Sequence, residues 1–158
     1  MKMQHQIEDN WCWAAVSVSI DQYFDPASGI TQCQMAQKVL GRNDCCGNPD
    51  ACDERAKLQD ALGDSGVKHL QGIVTGLLDF PKLAALVRQP SALPVCVRIE
   101  WAGGGAHFVA IDGVGTSAVG PLVRVADPLH GDSVWEYDEF ERAYRGIGSV
   151  SHTFLLKE

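Results

Sequence analysis

A chain of 158 residues, 46% hydrophobic and 21% charged, has the composition of one globular domain able to bury a core without metals. Its formal charge of -7 and thirteen scattered Lys and Arg form no basic stripe, and no apolar run nears the roughly 20 residues that cross a bilayer. Neither nucleic acid nor membrane is therefore expected as a partner, and the expectation is a monomer with a single domain over 1–158.

Residues Trp11 to Phe24 carry Ala14, Ala15, Val16, Val18, Ile20, Tyr23 and Phe24 without internal Gly or Pro, and Asp25-Pro26 ends the run, which predicts a mostly buried helix. Asn10 is the expected N-cap, with Cys12 in the first turn. A second helix is predicted over Gln34 to Leu40, then a loop rich in Gly, Asn, Asp, Pro and Cys from Gly41 to Asp53, then a short helix from Glu54 to Leu62. Phe80 to Arg88 again has helical spacing, stopped by Gln89-Pro90. From Leu93 the pattern changes to β-type runs: Val95 to Trp101, His107 to Val114, Leu122 to Asp127 and Ser133 to Tyr137. A short helix over Asp138 to Tyr144 and a last strand over Val150 to Leu156 complete the chain. Helices first and strands later predict an α+β fold, with a helical part over about 1–90 packed on an antiparallel sheet over about 91–158.

Six cysteines are many for a cytosolic enzyme, and Cys33, Cys45, Cys46 and Cys52 share one twenty-residue window. Such clustering points to an oxidising compartment and to two disulfides. Adjacent cysteines rarely bridge each other, so two connectivities stay open. Zinc is the second reading, weakened by the absence of paired C-x2-C knuckles. Cys96, in an apolar strand, is expected to be a buried thiol. The first six residues lack the apolar stretch of a signal peptide, which fits either a cytosolic chain or a trimmed, exported domain.

Cys12 differs from these five by its position. A thiol in the first turn of a helix faces unpaired N–H groups and the positive end of the macrodipole, both of which favour the thiolate, the species that attacks. It needs an imidazole partner. Gln6, just upstream, can donate its side-chain N–H to an oxygen held beside the Cys12 backbone N–H, and two such donors make an oxyanion hole.

The segment Trp101 to Gly113 reads as a glycine loop that delivers His107 to the mouth of a buried strand. That strand runs to about Val114, and Pro121 to Asp127 can return beside it. A hairpin folded about Thr116 to Ala118 would set His107 opposite Asp127, close enough for an imidazole N–H to meet a carboxylate. Asp127 would then fix the tautomer and stabilise the imidazolium. A register slip of one residue would turn Asp127 to the wrong face. Asp112, five positions along the same strand, is the rival carboxylate and faces away by the period-two alternation. The other histidines, His5, His69, His130 and His152, have no comparable setting. Trp11, Trp13, Trp101 and Trp135 are candidates to line a cleft or shield a triad.

Gln6 followed six residues later by Cys12-Trp13 resembles the catalytic segment of papain-like cysteine peptidases. The string Asn10-Trp11-Cys12-Trp13-Ala14-Ala15 is most similar to their compact bacterial branch, which includes plant-pathogen effector proteases, staphopain-like enzymes and leader-peptide peptidases. The resemblance implies a papain-like fold and a triad in the order Cys12, His107, Asp127. It also implies a protein or peptide substrate, no metal or organic cofactor, and delivery out of the producing cell. The expected reaction is peptide hydrolysis by Cys12 thiolate, with His107 as base and Gln6 on the oxyanion. The alternatives are deamidation or acyl transfer on the same residues, and an inactive, disulfide-stapled secreted binding module.

Overall fold

The computed structural model describes residues 1–88, 90 and 92–158. Its first helix, α1 (Cys12–Phe24), is buried without a break from Cys12 to Ile20. It runs between two partners, with α2 (Gln32–Leu40) and α3 (Leu58–Leu62) on one side and the sheet on the other. Asn10 is not its N-cap. Trp11 holds that position without a side-chain bond, while the Asn10 amide donates to the Asp53 carbonyl instead. Helix α2 begins two residues earlier than predicted, because Thr31 and Gln34 form a capping box in which each side chain takes the other's backbone N–H.

The loop after α2 contains a 3-10 turn, Pro49–Cys52, and two disulfides, Cys33–Cys46 and Cys45–Cys52, with Cα atoms 4.9 and 5.4 Å apart. All four sulfurs are bonded in pairs, which removes the thiolates on which the zinc reading depends. The helix predicted from Glu54 starts only at Leu58, because the carbonyls of Cys52, Asp53 and Glu54 are turned toward α1.

Strand β1 (Leu70–Thr75) was not predicted, and it moves part of the sheet into the first half of the chain. Helix α4 (Phe80–Val87) follows, capped by Asp79, whose side chain accepts from the Lys82 N–H. It ends one residue before the predicted end. Gln89 of the expected stop lies outside the described residues. The remaining elements are β2 (Val95–Trp101), β3 (Ala106–Ser117), β4 (Gly120–Asp127), β5 (Gly131–Glu136), α5 (Tyr137–Ala143) and β6 (Gly148–Leu156). The six strands form one antiparallel sheet in the order β1-β6-β2-β3-β4-β5. This is the α+β architecture expected, although β1 crosses the division anticipated near residue 90.

Both faces of the sheet are covered. Cys96, Phe108, Ala110 and Phe154 pack beneath α1, whereas Val97, Ile99, Val109, Ile111 and Val125 pack against Leu83 of α4 and Phe140 of α5. Side chains alternate across a strand, so β3 is apolar on both sides from Phe108 to Ile111, whereas β2 is apolar on the face of Val95, Val97 and Ile99 and carries Arg98 and Glu100 beyond Cys96 on the other. No helix among the described residues is long and apolar enough to cross a membrane.

Candidate active site

Four hydrogen bonds fix the turn that carries Cys12. The Asn10 N–H donates to Asp53 Oδ1 at 2.7 Å and the Trp11 indole to the Cys52 carbonyl at 2.7 Å. The Trp13 indole donates to the Glu54 carbonyl at 3.0 Å, and the Trp11 N–H to the Glu8 carbonyl at 3.1 Å. Trp11 and Trp13 are fully buried, so they anchor the start of α1 to the cross-linked loop rather than line a cleft. Cys12 is 7% exposed, and its first-turn N–H has no carbonyl one helical turn earlier to accept it.

His107 arrives from the other side of the molecule. Its strand is preceded by the turn from Ala102 to Gly105, where Gly104 and Gly105 take φ of 95° and 88°, a region that disfavours side chains. Trp101 stacks on the His107 ring with centroids 6.0 Å apart and planes 20° apart. A Cβ on Gly148 would fall 2.6 Å from the Trp101 ring, so only glycine in β6 lets that indole lie flat.

Asp127 meets His107, but not by the register predicted. The hairpin turns at Ser117 and Gly120, and its outer pairs run from Thr116 opposite Pro121 to Gly113 opposite Arg124. Continued unchanged, that register would set Asp127 opposite Ala110, on the face away from His107. A bulge between Ile111 and Gly113 shifts the pairing by one residue, so that Ile111 faces Val125 and Ala110 faces Ala126. Asp127 then lies diagonal to His107 on the same face, rather than directly opposite it. His107 Nε2 and Asp127 Oδ1 are 2.8 Å apart and buried. The rival, Asp112, sits in the bulge and bonds Arg124 and the Met1 amine.

Asp127 has more partners than the sequence suggested. Its Oδ1 also accepts the Leu129 and His130 N–H groups, at 2.8 and 3.0 Å, and its Oδ2 accepts the Tyr144 hydroxyl at 2.7 Å. Burial opposes its charge, but the bond and charge of His107, the Tyr144 hydroxyl and the backbone N–H outweigh it and hold the carboxyl well below its usual range. Burial likewise opposes the imidazolium of His107, yet Asp127 and Cys12 together lift it to about 9. With Nε2 committed to Asp127, Nδ1 is the ring nitrogen left for another partner.

Tyr144 was legible only as the end of a short helix, since no local pattern reports a contact with β4. His130, given no role, contributes its backbone N–H and sets its ring 6.2 Å from that of His107. Trp135 packs on Tyr144 with centroids 5.0 Å apart. Cys96 is fully buried beneath α1, and burial pushes its thiol pKa up.

Gln6, Cys12 and His107 line one pocket, together with Asn10 and Leu129. Gln6 is tied to the far side by its backbone N–H, which donates to the Pro128 carbonyl at 2.9 Å. Its amide nitrogen donates to the carbonyls of Glu8 and Asp9, at 3.0 and 2.8 Å, and its Oε1 is buried without a partner. Both amide donors are thus engaged within the loop.

A family model described as papain-like cysteine protease AvrRpt2 matches residues 1–145, a span that includes Gln6, Cys12, His107, Asp127 and Tyr144. The resemblance read from Gln6 to Ala15 is borne out. No curated protein matches the chain.

Proposed function

Because the chain belongs to the papain-like cysteine protease family of the AvrRpt2 type, we propose that it cuts peptide bonds with Cys12 as nucleophile, His107 as base and Asp127 as the group that orients the base. The observation that carries this reading is the buried 2.8 Å contact of Asp127 with Nε2 of His107, whose ring lines a pocket with Cys12 and Gln6. Asp127 accepts from Nε2, so Nδ1 is the atom that takes the Cys12 proton and later hands it to the leaving amine. The thiolate adds to the carbonyl carbon, the amine departs, and water releases the acyl-enzyme.

The oxyanion is received by the Cys12 N–H and by Gln6. Gln6 serves by turning one amide N–H away from the Glu8 or Asp9 carbonyl, an exchange of one acceptor for a charged one. Two disulfides in one loop suit an oxidising compartment, which supports an exported enzyme acting on a protein substrate.

A peptide-like epoxide should label Cys12 in the wild type and fail to label a His107→Ala variant. Mass spectrometry of a digested peptide library should show cut chains. Intact peptides heavier by about one mass unit would replace hydrolysis of the chain with deamidation as the reaction. Equal labelling of Cys12 in both proteins would remove His107 from the mechanism.

A further inference from the structure

Cys12 lines a second pocket, of about 500 Å³, that includes neither Gln6 nor His107. His107 must protonate the departing amine, so the leaving half of a substrate passes through the pocket that His107 lines. The second pocket adjoins the first, sharing Cys12, Arg55, Trp101 and Ala106 with it, and because it lacks His107 we assign it the acyl half beyond the scissile carbonyl. This direction rests on the peptidase reading above. Part of its wall is small or apolar, with Ala56, Ala106 and Phe108.

The same pocket also has a basic wall. Arg55, Lys57 and Arg98 face one carboxylate, Glu100, on a chain whose formal charge is -7. Glu100 is already bound by Arg98 at 2.8 Å, and Arg98 also donates to the Ser151 hydroxyl. Among the described residues, Arg55 and Lys57 take part in no ion pair. The Arg55 Nε donates to the neutral Asn10 amide oxygen at 3.3 Å, and its Nη2 reaches within 3.9 Å of the Cβ position of Gly105. A guanidinium thus spans from the Cys12 side of the groove to the glycine turn before His107. Lys57 and Arg98 continue the basic wall into an adjoining pocket with His152.

A cleft of one sign concentrates its field on whatever enters, and a guanidinium fork matches a carboxylate. We propose that the peptidase selects substrates with an Asp or Glu on the acyl side of the scissile bond, a short distance from the cut, held by Arg55 and Lys57.

The test uses the full chain as Cys12→Ala, immobilised and exposed to a pooled hexapeptide library in which every Glu-containing member has a Gln twin. At low salt the Glu members should be enriched about tenfold over their twins, with the preference falling as salt rises. It should vanish in Cys12→Ala carrying Arg55→Glu and Lys57→Glu, both at exposed positions. Equal recovery of the twins overturns the proposal. The wild type digesting the same library should cut on the C-terminal side of the Glu, with the same preference in kcat/KM. Cleavage indifferent to charge overturns the basic subsite and leaves the peptidase intact. Binding selective for Glu with no cleavage overturns the peptidase reading and leaves an acidic-peptide site.

Discussion

Asp127 spends one oxygen on His107 and two backbone N–H groups and the other on Tyr144, so the carboxylate has little freedom to turn away from the imidazole. Asp127→Asn keeps the shape but can present an amide N–H to Nε2, which favours the wrong tautomer. We expect kcat/KM to fall about a hundredfold, with less effect on KM. Tyr144→Phe removes one bond to a charged acceptor while three donors remain. It should lower stability by about 1.5 to 3 kcal/mol, read by urea unfolding, and lower kcat/KM less than Asp127→Asn does. The pH dependence has a defined sign. The folded value for His107 lies above that of a free imidazole, so its contribution to stability is complete below about pH 6.5 and is lost as pH rises through about 9. The value for Asp127 is depressed, so its contribution is complete above about pH 4 and is lost in acid. Unfolding free energy should therefore decline between pH 6.5 and 9 in the wild type and stay flatter there in His107→Ala. Parallel curves for the two proteins would remove the ion pair as the cause. The residue types were legible in the sequence because chemistry restricts them, as with a thiol at a helix start and a histidine at a strand mouth. Tyr144 and the His130 N–H were not, since their role exists only once α5 and the turn after β4 close around Asp127.

The elements divide in the same way. Strands β2 to β5 were readable from short runs rich in β-branched and aromatic residues, and the hairpin of β3 and β4 followed from its turn. Its inner register was not readable, because one extra residue at Asp112 leaves no mark in an alternation that is apolar on both faces. Strand β1 is six residues long, is interrupted by Gly72 and lies at the sheet edge, so it offers too few alternating positions. The short α3 was overestimated because Asp53 and the carbonyls of residues 52 to 54 serve the start of α1, a long-range demand that local propensity does not report. That demand gives the disulfides a function. They close loops of 13 and 7 residues around the segment that positions Cys12. Cys45→Ser with Cys52→Ser should lower stability by about 2 to 4 kcal/mol. Beyond that, it should slow epoxide labelling of Cys12 at temperatures where the variant is still folded by circular dichroism. Unchanged labelling at such a temperature would show that α1 holds its first turn without the cross-linked loop.

At the scale of the whole molecule, helices and sheet share their apolar interiors. Cys96, Phe108 and Ala110 of the sheet have no cover except α1 and its neighbours, and β1, from the first half of the chain, pairs with β6 at the other end of the sequence. The His107 and Asp127 pair sits at one end of the sheet and Cys12 at one end of α1, so their meeting depends on both layers being docked. Neither 1–90 nor 91–158 keeps a covered core by itself, since the first lacks the partner for β1 and the second exposes Phe108 and Phe154. A single cooperative transition is therefore expected in urea. Trp11 and Trp13 report on the helical layer and Trp101 and Trp135 on the sheet, so tryptophan fluorescence samples both, while far-ultraviolet circular dichroism follows the backbone. The two signals should coincide in midpoint and slope, and epoxide labelling of Cys12 should disappear over the same range of urea. Separated midpoints, or a fragment 91–158 that unfolds cooperatively alone, would show two layers folding independently and a site assembled only by their contact.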